Sequence, residues 1–168
     1  KALFGTQYYQ NCFYNSPRAS THIHRNILNM EHEEVLKVLL SYYLVEALVV
    51  KLQGVDRDDN YHCLSMHQAE GGFNSLRYFI DKDYHVLRNA INEEKYTALN
   101  LCNVPKLGTI EFRMFPSTKE LSDVEGWLDM ITTLFSSSQG YKTVDELWRA
   151  WVADRRGFAE QALGKTYH

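Results

Sequence analysis

Thr109-Ile110-Glu111-Phe112-Arg113-Met114 alternates apolar and polar residues strictly. Successive side chains of an extended strand point to opposite faces, so Ile110, Phe112 and Met114 share one side and Glu111 and Arg113 the other. Such a segment fits a half-buried strand, with a core behind it and charge in front. Thr21-His22-Ile23-His24 repeats the arrangement near the start of the chain, with His22 and His24 on one face and Ile23 behind them. If the two strands lie close together, two imidazoles, a carboxylate and a guanidinium line one polar surface. That chemistry suits a metal and an anionic substrate held on an open sheet. Each motif also has a plainer reading: a surface His-x-His pair, and a cross-strand Glu-x-Arg ion pair of small energetic weight.

The chain has 168 residues, enough for one domain that buries roughly two thirds of its unfolded surface. A formal charge of −3 provides no basic field, so nucleic-acid binding is not expected. Cys12, Cys63 and Cys102 are odd in number and lack a CxxC pair, which fits free thiols in a reducing compartment. No apolar run reaches the roughly 20 residues that span a bilayer, and no charged-then-apolar leader opens the sequence. The expectation is a soluble, cytoplasmic protein with no membrane partner. The first residue is Lys, so the sequence is also expected to be a processed product or a piece of a longer chain.

Residues 1–18 carry no clear period and read as an irregular lead-in anchored by aromatic residues. A strand follows over residues 19–25. Asn29 is placed to cap a long helix whose first turn holds Glu31, Glu33 and Glu34, the sign a helix N-terminus prefers. Val35, Leu36, Leu39, Leu40, Tyr43, Leu44, Ala47 and Leu48 recur at helical spacing up to Gly54. Residues 55–72 read as a long polar connection and residues 84–92 as a helix. Strands near 97–103 and 109–115, joined by Val104-Pro105-Lys106-Leu107-Gly108, read as an antiparallel hairpin. Ser122-x-x-Glu125 and Thr143-x-x-Glu146 are capping-box patterns, the first opening a helix through Phe135 and the second a last helix running to Leu163. Strands paired in sequence and then followed by helices predict an α+β fold, with helices packed on one face of a largely antiparallel sheet. His32 is expected to be neutral and exposed, His62, His67, His85 and His168 to be incidental, and Trp127, Trp148 and Trp151 to belong to the core.

The segment Glu94-Lys95-Tyr96-Thr97-Ala98-Leu99-Asn100-Leu101, followed by Gly108-Thr109-Ile110-Glu111-Phe112-Arg113-Met114-Phe115-Pro116-Ser117-Thr118, resembles the signature of the amidoligase family, many of whose members are phage-encoded. His22-Ile23-His24 matches that family's earlier "HvH" strand, and Arg57-Asp58-Asp59-Asn60-Tyr61 resembles its arginine-containing stretch after the long helix. The order agrees over about residues 20–137. The resemblance implies a fold like the catalytic domains of glutamine synthetase and glutamate-cysteine ligase. Residues 1–168 would form a single amidoligase-like domain, expected to be the C-terminal portion of a longer chain.

The activity it implies is ATP-dependent: a carboxylate is phosphorylated, and an amine displaces the phosphate to form an amide or peptide bond. By the same resemblance His22 and Glu111 would hold Mg²⁺, His24 would meet ATP phosphate or a nearby water, and Asn100 would help position the nucleotide. Arg113 would bind the substrate carboxylate or developing phosphate, assisted by Arg57. Partners would be carboxylate and amine substrates, with a protein partner or second copy also open, in the host cytoplasm if the chain is phage-encoded. One departure stands out, because the family's acidic "GxExE"-like strand has no counterpart before His22. This keeps open a noncatalytic, phage-associated structural or binding protein on the same scaffold, and, more weakly, a metal-dependent hydrolase.

Overall fold

The structure is a computed structural model describing residues 19–54, 60–89 and 96–164. Strands β1 (Ser20–Asn26), β2 (Leu99–Asn100) and β3 (Thr109–Pro116) form a three-stranded antiparallel sheet in the order β1-β3-β2. The helices are α1 (His32–Leu52), α2 (Glu70–Ile80), α3 (Tyr84–Asn89), α4 (Val104–Leu107), α5 (Leu121–Ser138), α6 (Val144–Ala153) and α7 (Arg155–Leu163). The architecture is α+β, as the paired strands and later helices predict. Among the described residues no helix is long and apolar enough to cross a membrane.

The strand that carries the alternating pattern is the central one. Ile110, Phe112 and Met114 are buried against α1 and α5. The Tyr42 hydroxyl of α1 donates to Met114 Sδ at 3.1 Å, and its ring meets Phe112 edge-on at 5.6 Å. Phe135 of α5 packs on the other side of Phe112, while Trp127 stacks on Phe115 at 4.9 Å. Truncating an aromatic at such a position costs about 3–5 kcal/mol. Leu39, Leu134 and Phe135 are buried and Leu40 is half-buried, so α1 and α5 cover the apolar face of the sheet.

Several local expectations are corrected. Asn29 does not cap α1; the N-cap is Glu31, whose backbone N–H is accepted by the Glu34 carboxylate at 2.8 Å. Residues 70–72, expected as the end of a loop, instead open α2, with Gly71 and Gly72 buried at its start. A Cβ on Gly72 would lie 3.1 Å from the Met66 backbone, so this glycine permits close packing there. The hairpin's first arm shrinks to Leu99–Asn100, and its connection winds into the single turn of α4, ended by Gly108 at φ 64°. Helix α5 begins at Leu121, ahead of the proposed Ser122 cap, whereas Thr143 caps α6 through Glu146 N as expected. The last helix breaks at Asp154, whose side chain accepts from Gly157 N and starts α7. His32 is half-buried, stacked on Phe79, and Trp148 is 47% exposed rather than core.

Candidate functional site

β1 and β3 pair with one irregularity. Thr21 lies opposite Phe115 and Ile23 opposite Phe112, so two steps along β1 correspond to three along β3. The extra residue falls at Arg113–Met114, and a bulge of this kind re-aims the side chains beside it. On the polar face His22, His24, Glu111 and Arg113 converge, as the alternation of the two strands predicts.

Glu111 is the hub. It is only 4% exposed, and its two oxygens are shared among four donors. Oε1 lies 2.8 Å from His22 Nδ1 and accepts from Arg113 Nη1 at 3.2 Å. Oε2 accepts from Asn100 Nδ2 at 2.7 Å and from Asn103 Nδ2 at 2.8 Å. His24 Nε2 is 3.6 Å from Oε1, inside ion-pair range but beyond hydrogen-bond length. Burial alone raises the Glu111 carboxyl; the hydrogen bond from His22, the charge of Arg113 and the Asn100 amide outweigh it and lower it from 4.5 to about 2. Glu111 is therefore a fixed anion at neutral pH.

The partners are themselves held. An ionised carboxylate can only accept, so His22 Nδ1 carries the proton it shares with Glu111. In a neutral ring Nε2 is then the acceptor, and Ser20 Oγ stands 2.7 Å from it. Asn100 is buried on β2, where its Oδ1 accepts from Cys102 N at 2.9 Å and leaves Nδ2 turned to Glu111. Asn103 is the N-cap residue of α4, three positions on, so one turn of chain brings both amides to the same carboxylate oxygen. His24 Nδ1 lies 3.2 Å from Thr109 Oγ1. The Arg113 side chain is 15% exposed, and its guanidinium carbon sits 5.8 Å from the centre of the Tyr96 ring.

Five of the six residues singled out from the sequence thus meet at one place: His22, His24, Glu111, Arg113 and Asn100. Arg57 lies outside the described residues. Sequence reasoning missed Asn103, Ser20 and Tyr96. Asn103 carried a usable signal, its three-residue spacing from Asn100 ahead of Pro105, but its role depends on the turn of α4. Both His22 nitrogens and both Glu111 oxygens have partners here. Among the described residues no group of three or more His, Cys, Asp or Glu side chains is arranged to hold a metal ion. Mg²⁺ takes six ligands, mostly oxygen, and keeps several waters, so His22 and Glu111 would supply only part of its shell.

Residues 9–135 match the family described as "Putative amidoligase enzyme". No curated protein and no solved structure gives a match. The matched span includes both strands that build the Glu111 cluster and covers more than half of the sequence. The chain belongs to the amidoligase family.

Proposed function

We propose that the chain acts as an ATP-dependent carboxylate–amine ligase of glutamine synthetase-like fold, and that its Glu111 cluster binds the substrate carboxylate. The observation that carries this reading is the clamp of Arg113 beside an anchored Glu111 on an open sheet face. In the proposed reaction a substrate carboxylate oxygen attacks the γ-phosphorus of ATP and ADP leaves. An amine nitrogen then attacks the acyl carbon, the phosphate leaves, and the nitrogen loses one proton.

Arg113 Nη1 donates to Glu111, and that bond orients the planar guanidinium to meet a carboxylate or phosphate in front of the sheet. Glu111, held near pKa 2, does not act as a general acid at neutral pH; it sets the position and the charge of its neighbours. His24, 40% exposed at the edge of the cluster, is placed to hydrogen-bond a phosphate oxygen or a water. A divalent ion would supply neutralisation of phosphate charge. His22 and Glu111 would give it at most two ligands and would first have to release Ser20 and a share of the amide bonds, so no step here runs through the ion.

A second reading has its own support. A carboxylate whose oxygens are shared among four donors also serves as a structural staple between β1, β2 and β3, which suits a noncatalytic binding protein on this scaffold. The experiment that separates them is a coupled assay for ADP release with panels of carboxylates and amines. Carboxylate- and amine-dependent ADP release that is abolished in Arg113→Lys supports the ligase. Its absence under all pairs, with the Glu111 cluster still needed for stability, supports the staple.

A further inference from the structure

Close to the Glu111 cluster, with Tyr96 shared between them, lies a hollow of about 220 Å³ lined by Tyr61, Leu64, Gln68, Ala69, Glu70, Gly71 and Tyr96. Drug-sized ligands occupy roughly 300–1,000 Å³, so this space suits one flat ring system and not a whole nucleotide. Tyr61 is 63% exposed, unusual for so large a ring beside an apolar wall. Its centre is 5.8 Å from that of Tyr96 with the planes tilted 42°, and His62 stands edge-on to both. The rings are held by backbone: Asn60 Oδ1 accepts from His62 N, Leu64 N donates to Tyr96 O, and Ala98 N donates to Leu64 O. The Leu64–Thr97 bridge ties this corner to the sheet.

We propose that this hollow is the subsite for the nucleobase of a nucleotide substrate, stacked on the exposed ring of Tyr61 with Tyr96 as a side wall. The identity of the base as adenine rests on the ligase reading above. Three features favour a base with an anionic tail. Exposed tyrosine rings stack on any π-face. Glu70 lines the hollow with a carboxylate acceptor that suits an exocyclic amino group, and its charge turns phosphates away from this end. Arg113, which shares Tyr96 as a wall, offers the phosphates a cation at the other end, next to Glu111.

The test is calorimetric titration of the protein with adenosine, inorganic tripolyphosphate and ATP in turn. Tyr61→Ala is expected to weaken adenosine and ATP roughly tenfold or more while leaving tripolyphosphate unchanged, and Tyr61→Phe to retain binding. Arg113→Lys is expected to weaken tripolyphosphate and ATP but not adenosine. Because Tyr61 is mostly exposed, its loss spares the core, and far-ultraviolet circular dichroism verifies this. Adenosine that fails to bind the wild type, or that binds Tyr61→Ala equally well, overturns the inference. So does preferential binding of N-acetyl-phenylalanine amide in its place, which would make the hollow a peptide subsite. Tyr61-dependent adenosine binding without any amide formation leaves the base subsite standing and removes only the ligase reading.

Discussion

His24 is the cross-strand partner of Glu111 in the β1–β3 ladder, yet His22, two residues earlier, makes the closer approach to its carboxylate: 2.8 Å at Nδ1, against 3.6 Å for His24 Nε2. The bulge at Arg113–Met114 falls where β1 presents His22, and its extra residue alters the alignment of the ladder there. The two histidines consequently have different tasks. His22 is hydrogen-bonded to Glu111 and lies against Ser20 Oγ, whereas His24 stands beyond hydrogen-bond length of the carboxylate, although the two side chains are similarly exposed, 35% and 40%. Replacing each separately should show the difference: His22→Ala is expected to lower stability by about 1–2 kcal/mol, His24→Ala by less than about 0.5 kcal/mol, in urea unfolding.

Glu111→Gln removes the anion but keeps the volume. Its amide nitrogen must face either the Asn100 and Asn103 donors or those of His22 and Arg113, so a donor meets donors in a buried place. The expected loss is about 2–3 kcal/mol of stability, together with loss of most turnover in a ligase assay. Wild-type stability in this variant would show that the four bonds to Glu111 carry no weight.

Acid should act on the same residue. The Glu111 carboxyl is lowered in the fold to about 2 from 4.5, so the unfolded chain binds a proton more readily. Its contribution, roughly 3 kcal/mol, is fully present above pH 4.5 and is lost as pH falls towards 2. Denaturant midpoints measured between these limits should fall steeply for the wild type and more gently for Glu111→Gln.

Glu46 should tilt the other way. It is fully buried on α1, both its oxygens accept from Met66 N, at 2.9 and 2.8 Å, and burial raises its carboxyl above 4.5 despite those bonds and nearby His67. A raised carboxyl is most favourable while protonated, so its contribution is lost as pH rises through its folded value. Glu46→Gln is expected to keep the Met66 bond and to flatten this loss. Glu46→Ala, which leaves the Met66 N–H unpaired and opens space, should cost about 2–4 kcal/mol by thermal unfolding at neutral pH.

The two asparagines offer a sharper comparison. Asn103→Ala deletes one donor to Glu111 and is expected to cost about 1 kcal/mol. Asn100→Asp sets a second carboxylate against Glu111 on a buried strand and weakens the Arg113 clamp, so it should cost about 3 kcal/mol or more and recover in part at low pH. Equal losses in the two variants, measured from pH 4 to 8, would contradict the geometry.

Alternation alone made β1 and β3 legible, because period-2 burial on Ile110, Phe112 and Met114 leaves no other face for Glu111 and Arg113. The 3.6-residue recurrence from Val35 to Leu48 did the same for α1, and the Thr143 cap for α6. The family signature around Glu111 is likewise written in consecutive residues. Tertiary structure decided the rest. Helix α2 was hidden because Gly71 and Gly72 are poor helix formers in isolation, and Gly72 is favoured here by the closeness of Met66. That Glu111 sits buried at the centre of four donors, that Asn103 joins Asn100, and that His22 outranks His24 all follow from a one-residue bulge and a single turn of helix. Neither has a period to read, since each depends on which backbone lies alongside. The hollow lined by Tyr61 and Tyr96 joins residues 35 positions apart, which the bridge from Leu64 to Thr97 brings together.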